Sequence, residues 1–489
     1  MAKKSGFLIG LMVLIVTVGC GGGGSSTPVP TPTPTPSQVF PNDQSLAQSA
    51  PVKLGTSGGN ANDLGTKVCC IGTLGSLWTK TGVTRPVILS NNHVLDRSGN
   101  GAAGEAINQP LQFACTPKTS PPPLTVALLT QGAPLKPVTN VPGACGTPAP
   151  SPLCGPSPSN VDAAIAEIAP GQVDLNGNIL DLGPVGTNSI APQPPSSTLG
   201  APALSQGVAK SGRTTGLTCS IITSLNASIQ VNYEATCGDK SPAFTSIFTN
   251  QIVINGGSFS ASGDSGSLVV TTDTARPVAL LYGGSTTDTV ANPISDVIAA
   301  FGGSAAFNIV GGADHAVSCA RTATAGATQV GAAQAALIPQ ERQRVAVVQQ
   351  RRAVQLLQDS SIKSVTVGAS ADNSGEGALL IHVSGSTIPL VPPTIDGVRT
   401  RLLFDAAGSV VPFAGKQEVE RAVNVKEAHV NSLMGQPGIQ GVGVSLSVDN
   451  PTESAISIYL VKGVAHEPIP AVIDGVRTRI FEGERFKAF

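Results

Sequence analysis

The string IDGVRTR occurs twice in this chain, at 395–401 and again at 473–479. An identical heptapeptide at matching places in two neighbouring stretches marks a duplication, so whatever one copy folds into, the other must fold into as well. Each copy is preceded by the same order of elements. A polar helix comes first, then a Val-rich strand (SVTVGAS or GVGVSLS), a DN turn, and a second strand (ALLIHVSG or AISIYLVKG). An Ile-Pro pair follows in both, Ile388-Pro389 and Ile469-Pro470. PQERQRVAVVQQRRAVQLLQ at 339–358 carries the amphipathic helical pattern of the first copy. We read two α+β modules, 339–415 and 416–489. Asp396 and Arg399, with Asp474 and Arg477 in the second copy, form either a binding loop for a protein or cell-wall ligand, or an Asp-Gly turn with a locally paired arginine.

The remainder reads differently. From 51 to 303 short apolar runs such as KVCCIGTLGSLW, RPVILS, LTVALLT, VDAAIAEI, SIQVNYEA, NQIVING, GSLVVTT and PVALLYGG alternate with turn residues. Many short strands at regular spacing predict a sandwich or barrel, closed by a helix at NPISDVIAAFG. The 56 glycines and 39 prolines, against 12% charged residues, suit a loop-rich β protein. Proline-dense loops interrupt the region at 116–160 and 191–202, and an Ala/Gly/Thr-rich stretch, 304–338, reads as a linker. A net charge of −1 gives no argument for nucleic acid or an anionic surface as partner.

The start of the chain reads as an export signal, 1–19. Lys3 and Lys4 precede a short apolar run, Phe7 to Val18, too short to span a bilayer comfortably. Its end, VTVGC, resembles a bacterial lipoprotein signal, which makes Cys20 the lipidated residue and the membrane a partner through that anchor. Thr17 stands where such signals commonly carry Leu. The Gly- and Pro/Thr-rich stretch 20–50 reads as a tether. Gly21 is not acidic, which favours the outer membrane or the cell surface over an inner membrane; plain secretion is the alternative. Removing Cys20 from the nine cysteines leaves eight, an even number in an oxidising compartment. Cys219 and Cys237 flank an expected hairpin and are candidates to pair, as are Cys145 and Cys154 around a Pro-rich loop. The spacings fit no zinc pattern, and no metal or cofactor is expected.

Chemistry concentrates in FSASGDSGSLVV, 259–270. A serine hydroxyl needs a base to become a nucleophile and donors for the oxyanion that follows attack on a carbonyl. Gly263 and Gly266 let the backbone turn around Ser265, and the N–H groups of Gly263 and Ser265 are the natural donor pair. Of five histidines, only His93 lies within the β-rich region ahead of Ser265, at the end of an apolar strand in VILSNNHVLDR. The base needs a carboxylate to hold its tautomer. Asp96 is too near His93 in sequence to reach back, and Asp174 and Asp181 sit in an expected solvated hairpin. Asp162 opens an apolar strand, where a carboxylate is costly without a partner, and is the best third member.

The order His93, Asp162, Ser265, with LSNNHVL, VDAAIAEI, SGRTTGLTC, GDSGSLVV and PVALLYGGS in sequence, resembles the trypsin/chymotrypsin-like serine proteases, and among them the bacterial secreted branch. The resemblance covers roughly 51–303. It implies a chymotrypsin-like double β-barrel followed by the two modules, and a serine endopeptidase acting on polypeptides. His93 matches its general base, Asp162 the orienting carboxylate, Ser265 the nucleophile, and Gly263 and Ser265 the oxyanion-hole amides. Gly283 and Gly284 match one wall of the specificity pocket. Trypsin-like members carry an acid six residues before the nucleophile; Phe259 stands there, which implies no preference for Lys or Arg and favours small or apolar residues. Cysteines do not bracket His93 as in many animal members, and the His-to-Asp interval is long. The modules are similar to units found beside bacterial trypsin-like domains, a resemblance that carries no function with it; substrate or cell-wall recognition, attachment to another protein and pro-domain-like control of the protease stay open. A catalytically idle protease-fold adhesion or scaffold lipoprotein is the competing reading.

Overall fold

A computed structural model describes residues 44–63, 71–110, 123–137, 161–187, 189–234, 242–319, 337–384, 388–404 and 414–489. Cys20, Cys145, Cys154 and Cys237, with the signal and residues 20–43 of the expected tether, lie outside the described residues; Gln44, at its other end, is buried in the fold. The fold is mainly β, with two successive barrels and then two α+β modules.

The first barrel runs, in spatial order, through Gly72–Leu74, Thr56–Asn60, Ala106–Gln109, Leu124–Gly132, Ala164–Ile168, Val87–Ser90 and Ser76–Lys80, every pair antiparallel. Only Gly75 separates its first and last strands, and the Gly75 N–H donates to the Leu89 carbonyl at 3.1 Å, so the sheet closes on itself. The second barrel is a complete ring of six: Gly207–Gly212, Gly216–Glu234, Pro242–Asn255, Asp288–Pro293, Pro277–Gly284 and Leu268–Thr271, the last pairing back to the first. Closure removes free edges and leaves the loops at the barrel mouths to carry chemistry. Leu77, Trp78, Ile88, Leu89 and Ile165 of the first barrel share one apolar cluster with Ala209, Leu268, Val270 and Leu280 of the second. This is the double barrel that the resemblance implies.

The stretch 304–338, expected as linker, begins as barrel. Phe307–Ile309 pairs with Ser76–Lys80, because Phe307 stacks on Trp78 at 4.6 Å and lies fully buried. Cys219 bonds Cys319, not Cys237, and so ties the segment after the barrels to a barrel strand. With a sequence separation of 100 between the two cysteines, the loop-closure model gives this bridge about 4–5 kcal/mol. VDLNGNILDLG forms no hairpin; Val173 and Ile179 bridge singly to Val52 and Leu54. Asp181 is accordingly buried and accepts from Gln44 Nε2 at 2.7 Å.

The modules share one topology. Their helices are Pro339–Leu356 and Lys416–Met434. In each, two antiparallel strands (Ile362–Ala369 with Gly377–Val383; Ile439–Leu446 with Ser454–Val461) are joined by a parallel third, Val398–Phe404 or Val476–Gly483. IDGVRTR is a tight hairpin entering that third strand. Asp396-Gly397 and Asp474-Gly475 all have positive φ, the geometry of a type I′ turn, which favours Asp-Gly. The arginines make one long local bond each, to Pro393 O and Ala471 O at 3.4 Å, and their shortest ion pairs cross between the modules. Arg399 donates to Asp449 and Glu453 of the second module, and Arg477 reaches Ser370 and Glu376 of the first, a reciprocal buried network. The second module also extends the second barrel: Gly441 and Val442 pair with Ile229 and Ser228. A side chain at Gly443 would collide with Ser224 and Ala227, which is why GVGV suits this strand.

Candidate active site

His93 stands on a single helical turn, Asn92–Leu95, directly after strand Val87–Ser90. Asp162 precedes strand Ala164–Ile168, the neighbour of Val87–Ser90 in the first barrel. Strand pairing therefore brings the two together across 69 residues of sequence. His93 Nδ1 lies 2.6 Å from Asp162 Oδ2, and the His93 backbone N–H donates to Oδ1 at 3.2 Å. Asp162 is fully buried, and its cost is offset by donors. Tyr233 of the second barrel donates its hydroxyl to Oδ2 at 2.7 Å. Asn91 and Asn292 side-chain amides hold the Asp162 carbonyl, at 2.7 and 3.2 Å. Asp96 faces the other way, accepting from Asn92 Nδ2 at 3.1 Å.

Ser265 lies at the mouth of the second barrel, in the turn ahead of strand Leu268–Thr271. Gly263 and Gly266 on either side have φ of +99° and +94°, a region that disfavours L side chains. Asp264, fully buried, organises this turn. It accepts from the backbone N–H of Thr214, Thr215 and Ala261 and from the Thr215 hydroxyl. The fully buried Lys210 ammonium lies 3.5 Å from Asp264 and donates to Gly216 O at 2.9 Å and to Thr215 Oγ1. The first barrel braces the turn: Thr73 N–H donates to Ser265 O at 2.7 Å and Thr73 Oγ1 to Gly263 O at 2.9 Å. The N–H groups of Gly263 and Ser265 have no acceptor among the described residues. Phe259 is 2% exposed, within an apolar cluster of the second barrel.

The last residues of the sequence lie across this site. Lys487–Ala488 is a short strand pairing antiparallel with Gly284 and Gly283. Phe489 donates its N–H to Tyr282 O at 3.3 Å, and its carbonyl oxygen lies 3.1 Å from His93 Nε2. Ser265 Oγ donates to the same Tyr282 carbonyl at 3.0 Å, and no His93–Ser265 hydrogen bond occurs among the described residues.

The electrostatics favour the His93 imidazolium. Burial alone would lower its pKa, but the Asp162 carboxylate overrides this, helped by the Phe489 carbonyl and by Asp63, and holds it above the ordinary histidine value. Asp63 is itself pushed up to about 6 by burial, against the pull of Arg97 and His93.

Sequence reasoning missed Tyr233, Lys210, Asp264, Asn292 and the 487–489 strand as parts of this site. Asp264 stands within GDSG without a role assigned to it; the others sit in ordinary strand patterns, and nothing local marks them.

No protein-family model matches the chain, and no curated protein resembles it. Solved structures similar to it include one described as a glutamic acid specific serine protease that uses a novel histidine triad in substrate binding. That one is 17% identical with a TM-score of 0.32, over 53% of this chain and all of that one. Protease A of Thermobifida fusca is similar at 14% identity and TM-score 0.31, over 53% of this chain and 99% of that one. A Cellulomonas bogoriensis chymotrypsin is similar at 16% identity and TM-score 0.26, over 48% of this chain and 96% of that one.

Proposed function

We propose that the protein is an exported serine endopeptidase, held at a membrane through Cys20, in which His93, Asp162 and Ser265 form a catalytic triad. The observation that carries this reading is the buried His93–Asp162 pair at 2.6 Å, whose Nε2 meets Phe489, the residue that shares the Tyr282 carbonyl with Ser265 Oγ. Asp162 fixes the tautomer with Nδ1 protonated, which leaves Nε2 to take the Ser265 proton. Ser265 Oγ attacks the peptide carbonyl, and the carbonyl oxygen gains negative charge that the N–H groups of Gly263 and Ser265, without an acceptor among the described residues, would stabilise. His93 then protonates the leaving amine, an acyl-enzyme forms, and water hydrolyses it by the same steps. Gly283 and Gly284 are the wall along which substrate pairs, and Phe259 belongs to the apolar surroundings of the pocket. The modules are held to each other and to the second barrel by buried polar contacts, which favours a structural role for IDGVRTR.

The test is a fluorophosphonate probe: the native chain labels and Ser265→Ala does not. Labelling that survives the substitution places the nucleophile elsewhere. The pH profile gives a second check. Only neutral imidazole acts as base, so kcat/KM is low at acidic pH and rises as pH passes through the His93 pKa. Because that pKa is raised, the rise is displaced to the alkaline side of the ordinary histidine value. Among the described residues, Asp162 and Asp63 are the side-chain carboxylates that raise the His93 pKa, with the Tyr233 ring edge-on at 6.0 Å, and Asp63→Asn moves the midpoint down. A midpoint that stays put on Asp63→Asn removes that carboxylate from the account.

A further inference from the structure

The strand Lys487–Ala488 is aimed into the site by several contacts. The Gln440 side chain brackets its approach, donating to Glu484 O at 2.9 Å and accepting from Phe486 N–H at 2.9 Å. Phe486 is 2% exposed, edge-on to Tyr459 at 5.6 Å, and its carbonyl accepts from Asn232 N–H at 3.1 Å. Lys487 then pairs in parallel with Asn232 on one side and antiparallel with Gly284 on the other. The backbone is thus clamped between two strands of the second barrel. The approach is close enough that a side chain at Gly283 would strike Lys487 O, and one at Gly284 would come 2.8 Å from the Phe489 ring. Phe489 packs against the cluster containing Phe259, Val208 and Ile222.

The consequence at the candidate triad is a separation of its parts. A carbonyl only accepts, so the 3.1 Å contact with Phe489 O requires a proton on His93 Nε2, while Nδ1 donates to Asp162. A doubly protonated imidazole cannot take the serine proton. Ser265 Oγ is meanwhile turned to Tyr282 O, and Ser265 has no exposed surface.

We infer that residues 487–489 are a built-in occupant of the candidate active site, lying in it as the acyl-side strand of a peptide and holding the peptidase off until they are displaced. This rests on the peptidase reading. The occupant also reports what the site takes. A peptide segment pairs antiparallel with Gly283 and Gly284 and places a Phe-sized apolar side chain against the Phe259 cluster.

The experiment compares fluorophosphonate labelling rates of the full chain, the full chain lacking 487–489, and Phe489→Asp, each with and without Ser265→Ala. The shortened chain keeps Phe486 in its cluster, and Phe489→Asp keeps the backbone of the strand while replacing the ring by a carboxylate that the apolar Phe259 cluster does not accommodate. Both label about tenfold faster than the full chain, the factor that corresponds to a full chain open about one-tenth of the time. A synthetic peptide of sequence ERFKAF, added in trans, slows labelling of the shortened chain, and ERFKAD does not. Equal rates in all three Ser265-bearing chains overturn the inference and leave the peptidase standing. Absence of Ser265-dependent labelling in all three overturns the peptidase reading itself.

Discussion

Asp162→Asn lowers kcat for peptide hydrolysis about 10⁴-fold, the scale of removing a tautomer-fixing carboxylate from a Ser-His-Asp arrangement. Three donors converge on the two Asp162 oxygens: His93 N–H, His93 Nδ1–H and the Tyr233 hydroxyl. Asparagine keeps one acceptor and adds an NH₂ where a donor already points. His93 relieves the clash by carrying its proton on Nε2, the nitrogen that must be bare to accept from Ser265. The measurement is steady-state kcat on a peptide substrate beside the native chain, with circular dichroism to show that the barrels persist. A loss of less than about tenfold removes Asp162 from the role of orienting carboxylate.

Lys210→Met destabilises the fold by about 3–5 kcal/mol, because it removes one partner of a buried ion pair and leaves the other charge uncompensated. Lys210 and Asp264 are both fully buried, and burial pulls the Lys210 pKa down against the opposing pull of Asp264. Methionine fills the space but cannot donate to Gly216 O or Thr215 Oγ1. Asp264 in turn holds Thr214, Thr215 and Ala261 and so sets the shape of the Ser265 turn. Urea denaturation reads the loss as a lower midpoint at unchanged m. A shift worth under about 1 kcal/mol means that the pair is dispensable.

Much of the architecture was legible because it depends on short-range rules. Period-2 apolar runs with Gly and Pro punctuation mark strands, and Asp-Gly marks a type I′ hairpin in both modules. The repeated heptapeptide requires two copies of one topology, and the structure has them. His93, Asp162 and Ser265 could be nominated for one site because each sits at a strand end or turn beside a residue pattern with a chemical reason. Their catalytic roles remain the proposal tested above.

What the sequence alone did not determine is which distant elements meet. Cys219 looked toward Cys237, its neighbour across an expected hairpin, yet it bonds Cys319, because the chain after the barrels packs back through Phe307 against Trp78. The arginines of IDGVRTR, for which the sequence left a binding loop and a local pairing open, make their shortest ion pairs with carboxylates of the other module. Tyr233 meets Asp162 only because the two barrels pack together, and Phe489 meets His93 across 396 residues because the second module prolongs the second barrel's sheet. Local periodicity fixes which face of an element is apolar. Which face it is buried against is decided by the closure of the barrels and the docking of one sheet on another, and those are properties of the whole chain.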